Sequence, residues 1–239
     1  MKPLVIIKAG STLADLLPLQ GDFEHWIASG VANPALPIQI VDPRHDALPD
    51  AVSIAGAIVT GSHAMVTERR DWSEATAGWM ATLVECQVPL LGICYGHQLL
   101  AHALGGEVGY HPAGMEIGTT SVRKLATAAD DALLDSLPEE FPAHTVHKQS
   151  VLRLPQGATL LACNEFEAHH AFRVGDTAWG VQFHPEFNAA AMRAYLHYLG
   201  DDVRAQGGDV ETLLQQVAET PASTGLLQGF GKLVLARQA

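Results

Sequence analysis

Short apolar runs alternate with amphipathic stretches through the first hundred residues. Leu4 to Ala9, Ile38 to Asp42, Ala57 to Thr60 and Pro89 to Ile93 are rich in Val, Ile and Leu and bounded by Pro or Gly, the pattern of buried parallel strands. Between the last two, "DWSEATAGWMATLVEC" places Trp72, Ala75, Trp79 and Leu83 at helical spacing. Strand then helix, repeated, predicts a parallel sheet with helices on its faces. After Leu104-Gly105-Gly106 the character changes: "EVGYHPAGMEIGTTSVRKL" and "VLRLPQGATLLACNEFEAHHAFRVGDTAWGVQFHPEF" carry frequent turn residues between short β-branched or aromatic runs, which predicts appended antiparallel strands.

Between those two stretches "ADDALLDSLP" predicts a short helix, and residues 188–206 predict an amphipathic one. A further helix is expected over 209–219, with Val210, Leu213, Leu214 and Val217 on one stripe, and "TGLLQGFGKLVLARQA" reads as a last packed helix. No Pro/Ser/Gly-rich linker and no internal repeat divides the chain. The expected fold class is α/β, a single domain on a mostly parallel open sheet with flanking helices and appended antiparallel strands. Residues 1–206 form the catalytic unit in this reading, and 207–239 a helical extension packed on the same domain.

Ligands of open α/β sheets bind beyond the carboxyl ends of the strands, which directs attention to the residues after Thr60 and Ile93. Gly92-Ile93-Cys94-Tyr95-Gly96 has the form of a strand-turn-helix nucleophile elbow with Cys in place of Ser. A thiol at a helix N-terminus sits at the positive end of the helix dipole beside free N–H groups, both of which favour the thiolate. Cys86 and Cys163, read as a helix-end and a strand residue, lack that setting. Taken alone, Cys94 could equally be a small buried hydrophobe.

A partner comes from "GVQFHPEF". In an extended segment His184 and Glu186 project to the same side, and a carboxylate beside an imidazole orients it and stabilises its charged form. Alone, this run could instead cap the following helix, since Asn188 is a good N-cap. In "AIVTGSHAM" a buried strand turns outward at Thr60-Gly61-Ser62. Backbone N–H groups of Tyr95 and of Gly61 or Ser62 could then serve a developing oxyanion, the alternative being a plain tight turn.

Composition narrows the class. In 239 residues the net charge is −12, which argues against nucleic acid and against an anionic membrane surface as partners. The 3 cysteines are too sparse for a disulfide framework or a Cys-x-x-Cys metal site, which fits a reducing, cytoplasmic setting. "MKPLVIIKAG" reads as a first strand and not as a signal peptide or membrane span. There are 12 histidines, but His169-His170, the best candidate pair, would point to opposite faces of a strand, so no metal is expected. His97 and His102 are read as rim or surface residues. No Gly-rich phosphate loop of either common type is present, and no cofactor is expected.

Together and in this order, "VTGSH", "GICYGHQ" and "VQFHPEF" resemble the class I glutamine amidotransferase family, with a likeness running from about Leu4 to Phe187. The resemblance implies a flavodoxin-like fold and attack by Cys94 on the side-chain amide of glutamine. It further implies an adduct held by backbone donors of Tyr95 and Ser62, His184 passing a proton to the departing ammonia, and Gln98 contacting the substrate. "TVHKQSV" stands where relatives read Ser-His-Gly-Asp and hold the glutamine α-groups. Lys148 and Gln149 replace the Gly and the Asp there, while His147 keeps a histidine read as structural. The resemblance implies a small-molecule substrate and, for delivered ammonia, a separate synthase subunit as partner. Two alternatives stay open: a γ-glutamyl peptidase using the same thioester, and a non-catalytic regulatory or binding protein on this scaffold.

Overall fold

The computed structural model describes residues 1–238; Ala239, the end of the expected terminal helix and of the 207–239 extension, lies outside the described residues. The four early apolar runs form β1 (Leu4–Ile7), β2 (Ile38–Val41), β3 (Gly56–Val59) and β4 (Leu90–Ile93). The turn-rich second half supplies β5 (Glu107–Tyr110), β6 (Glu116–Lys124), β7 (Glu140–His147), β8 (Gln149–Arg153), β9 (Ala158–Cys163), β10 (Ala171–Val174) and β11 (Ala178–Val181). The helices are α1 (Leu17–Gln20), α2 (Phe23–Val31), α3 (Asp71–Glu85), α4 (Tyr95–Ala103), α5 (Ala189–Tyr198), α6 (Gly200–Ala205), α7 (Val210–Gln216) and α8 (Pro221–Ala236).

Nine strands join in the order β2-β1-β3-β4-β11-β10-β9-β6-β7, and β5 pairs with β8 apart from them. From β2 to β11 neighbours are parallel, and from β11 to β7 they are antiparallel. This is the expected α/β class, a parallel core with antiparallel strands appended at one edge.

Alternation along the central strands builds two cores. Leu4 and Ile6 of β1 face one side with Ile58, Leu91 and Ile93, where α2 lays Ile27 and Val31 and α8 lays Leu226, Leu227, Phe230 and Val234. Val5 and Ile7 face the other with Ala57, Val59 and Leu90, covered by Met80 and Leu83 of α3 and Leu99 and Leu100 of α4. Strands so covered on both faces must be apolar at every position, which is why they appear in the sequence as unbroken runs. A third cluster, around Phe23, Phe187, Met192, Tyr195 and Leu196, ties α2 to α5 beside the carboxyl edge of the sheet.

Register decides what meets at that edge. Val59 lies opposite Gly92, and Ile93 opposite Val181, so β3, β4 and β11 end together. The Cys94 N–H donates to the Val181 carbonyl at 2.8 Å, and the Thr60 N–H to that of Ile7 at 3.1 Å. Residues 60–62, 94–95 and 182–184 therefore emerge side by side.

Three local expectations are corrected. "ADDALLDSLP" forms a series of turns: the buried Asp131 carboxylate accepts the N–H groups of Leu133 and Leu134, both at 3.0 Å, and the indole N–H of Trp179 at 3.0 Å. A carboxylate competing for amides in so short a segment outweighs helix formation, whose nucleus is costly. Residues 188–206 form two helices that meet at Leu199-Gly200, and α8 starts at Pro221, before the run that predicts it. Proline at a first helical position explains that earlier start.

Candidate active site

Cys94 sits between β4 and α4 with φ 48° and ψ −97°, outside the regions favoured by side-chain-bearing residues. The flanking glycines permit this. A Cβ on Gly92 would lie 2.3 Å from the Gly96 carbonyl oxygen, and one on Gly96 would lie 2.4 Å from that of Val59, so only glycine lets strand and helix approach this closely. The thiol is nearly buried and points toward the Val146 carbonyl at 3.7 Å.

His184 follows β11 and accompanies Cys94 at the same edge. Gly61 lies between them: a methyl group built on it would stand 3.0 Å from His184 Cε1 and 3.9 Å from Cys94 Cβ. His184 Nδ1 is hydrogen-bonded to Glu186 Oε1 at 2.8 Å, while Nε2 is buried and has no partner among the described residues. The pairing is the expected one, but a turn and not an extended segment brings it about. β11 ends at Val181, and the Phe187 N–H returns to the His184 carbonyl at 3.3 Å, folding Pro185-Glu186 back under the ring. Phe187 stacks on the imidazole with centroids 4.2 Å apart.

Burial opposes charge on His184, but the Glu186 carboxylate and then the Cys94 side chain outweigh it and raise the pKa to about 10. Other histidines nearby respond in the opposite sense. Burial and the positive charge of His184 lower His144 to about 4, and the same two causes lower His63. Of these three imidazoles, His184 is the one whose charged form is favoured.

A cavity of 210 Å³ collects Ser62, Cys94, Tyr95, Gln98, Lys148, Gln149 and His184; Gly61 and Glu186 stand behind its wall. The Ser62 hydroxyl is committed, donating to the Ala9 carbonyl at 3.0 Å and accepting from the Ala64 N–H at 3.1 Å. Its backbone N–H, like that of Tyr95, donates to no acceptor among the described residues. The Tyr95 hydroxyl pairs with Ser73 in the protein interior. Gln98 donates its side-chain amide to the Gln149 carbonyl at 2.6 Å and to Gln182 Oε1 at 3.0 Å. The Gln149 amide in turn donates to Thr67 Oγ1 at 2.6 Å, and Lys148 Nζ to Asp202 Oδ2 at 2.7 Å.

His147 is held on both nitrogens, Nε2 by Glu116 at 2.9 Å and Nδ1 by the Gln149 carbonyl at 3.0 Å. His97 departs from expectation. It is fully buried against Phe172, centroids 4.9 Å apart, because it lies on the side of α4 that faces the sheet, and burial holds its pKa well below the usual 6.5. His102 is half-buried and pairs with Glu74 at 3.1 Å. His169 and His170 lie in a turn before β10, not in a strand. His169 meets the Val151 carbonyl at 2.6 Å, and His170 is buried 3.3 Å from Glu116. Among the described residues no group of three His, Cys, Asp or Glu side chains is arranged to hold a metal ion.

Sequence reasoning passed over a second wall. Tyr195 of α5 joins its hydroxyl to His63 Nε2 at 3.0 Å and to Thr12 Oγ1 at 3.1 Å, dividing the cavity from an open groove of 570 Å³ beyond. His63 follows Ser62 directly and could have been weighed with it. Tyr195 sits in an ordinary amphipathic helix and carries no local signal.

A family model described as glutamine amidotransferase class-I matches residues 19–199. A glutamine-hydrolyzing GMP synthase of Aeropyrum pernix is 32% identical over 231 residues, 90% of this chain; the chain spans only 43% of that protein's length. Gamma-glutamyl peptidase 4 of Arabidopsis thaliana is 29% identical over 188 residues, 78% of this chain and 72% of its own. The crystal structure of a glutamine amidotransferase from Thermotoga maritima superposes with a TM-score of 0.77 at 21% identity over 98% of both chains, a likeness of fold.

Proposed function

The chain belongs to the class I glutamine amidotransferase family, and from that premise we propose that it cleaves the side-chain amide of glutamine through a thioester on Cys94. The thiolate of Cys94 attacks the amide carbonyl, and the oxyanion of the tetrahedral adduct takes hydrogen bonds from the backbone N–H groups of Tyr95 and of Ser62 or Gly61. The His184 imidazolium gives its proton to the leaving nitrogen and ammonia departs, leaving a γ-glutamyl thioester. His184, now neutral, takes a proton from water as the water attacks; glutamate leaves and the thiolate is restored. Glu186 keeps the His184 Nδ1 proton in place and stabilises the ring's positive charge.

One observation carries this reading: a strained cysteine and an imidazole with a carboxylate on one nitrogen and nothing on the other meet at one small cavity. A satisfied structural histidine would use both nitrogens. The test is glutamate release from glutamine by the purified protein with Cys94→Ala as the blank. Loss of release with retained folding is expected; release at the wild-type rate by that variant would overturn the mechanism.

A second reading, hydrolysis of γ-glutamyl peptides by the same steps, is supported by the likeness to gamma-glutamyl peptidase 4 of Arabidopsis thaliana over 78% of this chain. Faster glutamate release from γ-glutamyl dipeptides than from glutamine would favour it. If ammonia is passed on, the partner is a nitrogen-accepting synthase, and its addition should raise glutamine hydrolysis.

A further inference from the structure

Thr60 is the last residue before the turn at Gly61-Ser62, and its buried hydroxyl is used twice. It accepts the Ala9 N–H at 3.0 Å and donates to the Gly61 carbonyl at 2.9 Å. The Ser62 hydroxyl reaches the same neighbour, donating to the Ala9 carbonyl at 3.0 Å. The loop after β1 thus grips the loop after β3 through three hydrogen bonds. Gly10 completes the contact: a Cβ there would lie 2.7 Å from Ser62 Oγ and 2.8 Å from Ser62 Cα, so no side chain fits between the two loops.

This grip sets a direction. In the sheet β3 lies between β1 and β4, so Thr60 Oγ1, bonded to Ala9 at the end of β1, stands on the side of β3 turned toward β1. The N–H of a planar trans peptide points opposite to its C=O. With the Gly61 carbonyl drawn toward Thr60, the Ser62 N–H is aimed the other way, toward β4 and the elbow at Cys94. It has no acceptor there among the described residues.

We propose that the Thr60 hydroxyl is a positioning group that presets the Ser62 N–H as an oxyanion donor, with Ala9 and Gly10 as its brace. The inference rests on the proposed chemistry at Cys94 and assigns the second donor to Ser62 rather than to Gly61. Thr60 itself touches no reacting atom. Its contribution is that the donor need not reorient as the tetrahedral adduct forms, which is where a fixed dipole is worth most.

The experiment compares two reactions of the same thiol in the full chain. One is glutamate release from whichever of glutamine and γ-glutamyl dipeptides the protein cleaves faster, a reaction whose adduct carries an oxyanion. The other is alkylation of Cys94 by iodoacetamide, followed by mass spectrometry, in which the thiolate displaces iodide at a saturated carbon and no oxyanion forms. Thr60→Val keeps the branched shape and removes the hydroxyl. It should lower kcat by about 10–100-fold and leave KM and the alkylation rate within about twofold of wild type, since the donor acts only in the transition state. Thr60→Ser keeps the hydroxyl and should restore kcat. Gly10→Ala displaces Ser62 from the other loop and should reproduce the split, and it carries the test if the valine variant does not fold. Wild-type kcat in either disruptive variant would overturn the proposal. So would turnover and alkylation falling together, as for a residue that only supports the fold around Cys94, or a serine variant no better than valine. Were the wild-type protein to release no glutamate while Cys94 is alkylated normally, the proposed function itself would fail, and this inference with it.

Discussion

Two buried histidine–carboxylate pairs stand near one another with nearly equal geometry: His184 to Glu186 at 2.8 Å and His147 to Glu116 at 2.9 Å. What separates them is the other nitrogen. In His147 it is taken by the Gln149 carbonyl at 3.0 Å, and Glu116 receives a further bond from Asn164 at 2.6 Å, so the pair is closed. In His184 the other nitrogen is unpartnered at the Cys94 edge, where Cys94 itself has a strained backbone, whereas His147 ends an ordinary strand. Pair distance alone does not mark a reactive histidine; an unfilled nitrogen beside a strained nucleophile does.

The comparison breaks first on activity. His184→Ala should reduce glutamate release by roughly 10²–10⁴-fold, the range for losing a general acid and base; because it also leaves the buried Glu186 carboxylate unpaired, the unfolding temperature should fall as well. Glu116→Ala should cost stability with a far smaller loss of activity. It strands the donors of His147 and Asn164 in the interior, and a loss of about 2–5 kcal/mol in denaturant unfolding is expected. Burial opposes charge on Glu116, but bonding to His147 and His170 outweighs it and holds the carboxyl well below its usual 4.5. A depressed carboxylate contributes stability that is present above pH 4.5 and lost as the pH falls below it, so the variant should also show a shallower acid unfolding profile. Equal effects of the two substitutions on both readouts would erase the distinction.

A smaller effect sharpens it. Replacing Glu186 by Gln removes the main support of the His184 charge, so the imidazole, protonated up to about pH 10 in the parent, should titrate lower by histidine NMR. Activity should fall less than in His184→Ala, because the ring remains. The linkage sign is that of a base with a raised pKa: the pair's contribution to stability is complete below pH 6.5 and is lost as the pH rises toward about 10.

Much of this arrangement is visible in the chain because its signals are short-range. Strands covered on both faces show as unbroken apolar runs, and the elbow and the His-Pro-Glu run each fit within a few residues. Where the reading departs from the fold, a tertiary partner decides. Asp131 turns "ADDALLDSLP" away from helix because Trp179, 48 residues away, holds its carboxylate. His97 looks like a rim residue until Phe172 of β10 is placed beside it. Tyr195 meets Thr12 across 183 residues, and Lys148 meets Asp202 across 54, so no local pattern announces the second wall or that ion pair.

The smallest expected effect concerns the backbone of Cys94 itself. A side-chain-bearing residue at φ 48° and ψ −97° costs of order 1–3 kcal/mol, which glycine does not incur. Glycine also returns roughly 0.5–1 kcal/mol of entropy to the unfolded chain, so Cys94→Gly should gain about 1 kcal/mol over Cys94→Ala, or about 2–4 °C in a domain of this size. Both variants lack the thiol and should be equally inactive, so their difference isolates strain from chemistry. Identical unfolding temperatures would show that the elbow stores no strain, and would leave the unfilled nitrogen of His184 as the sole mark distinguishing the reactive pair from the closed one. A gain in the glycine variant would mean that the site is held in its reactive form at the expense of stability, by the same close strand-helix contact that Gly92 and Gly96 permit.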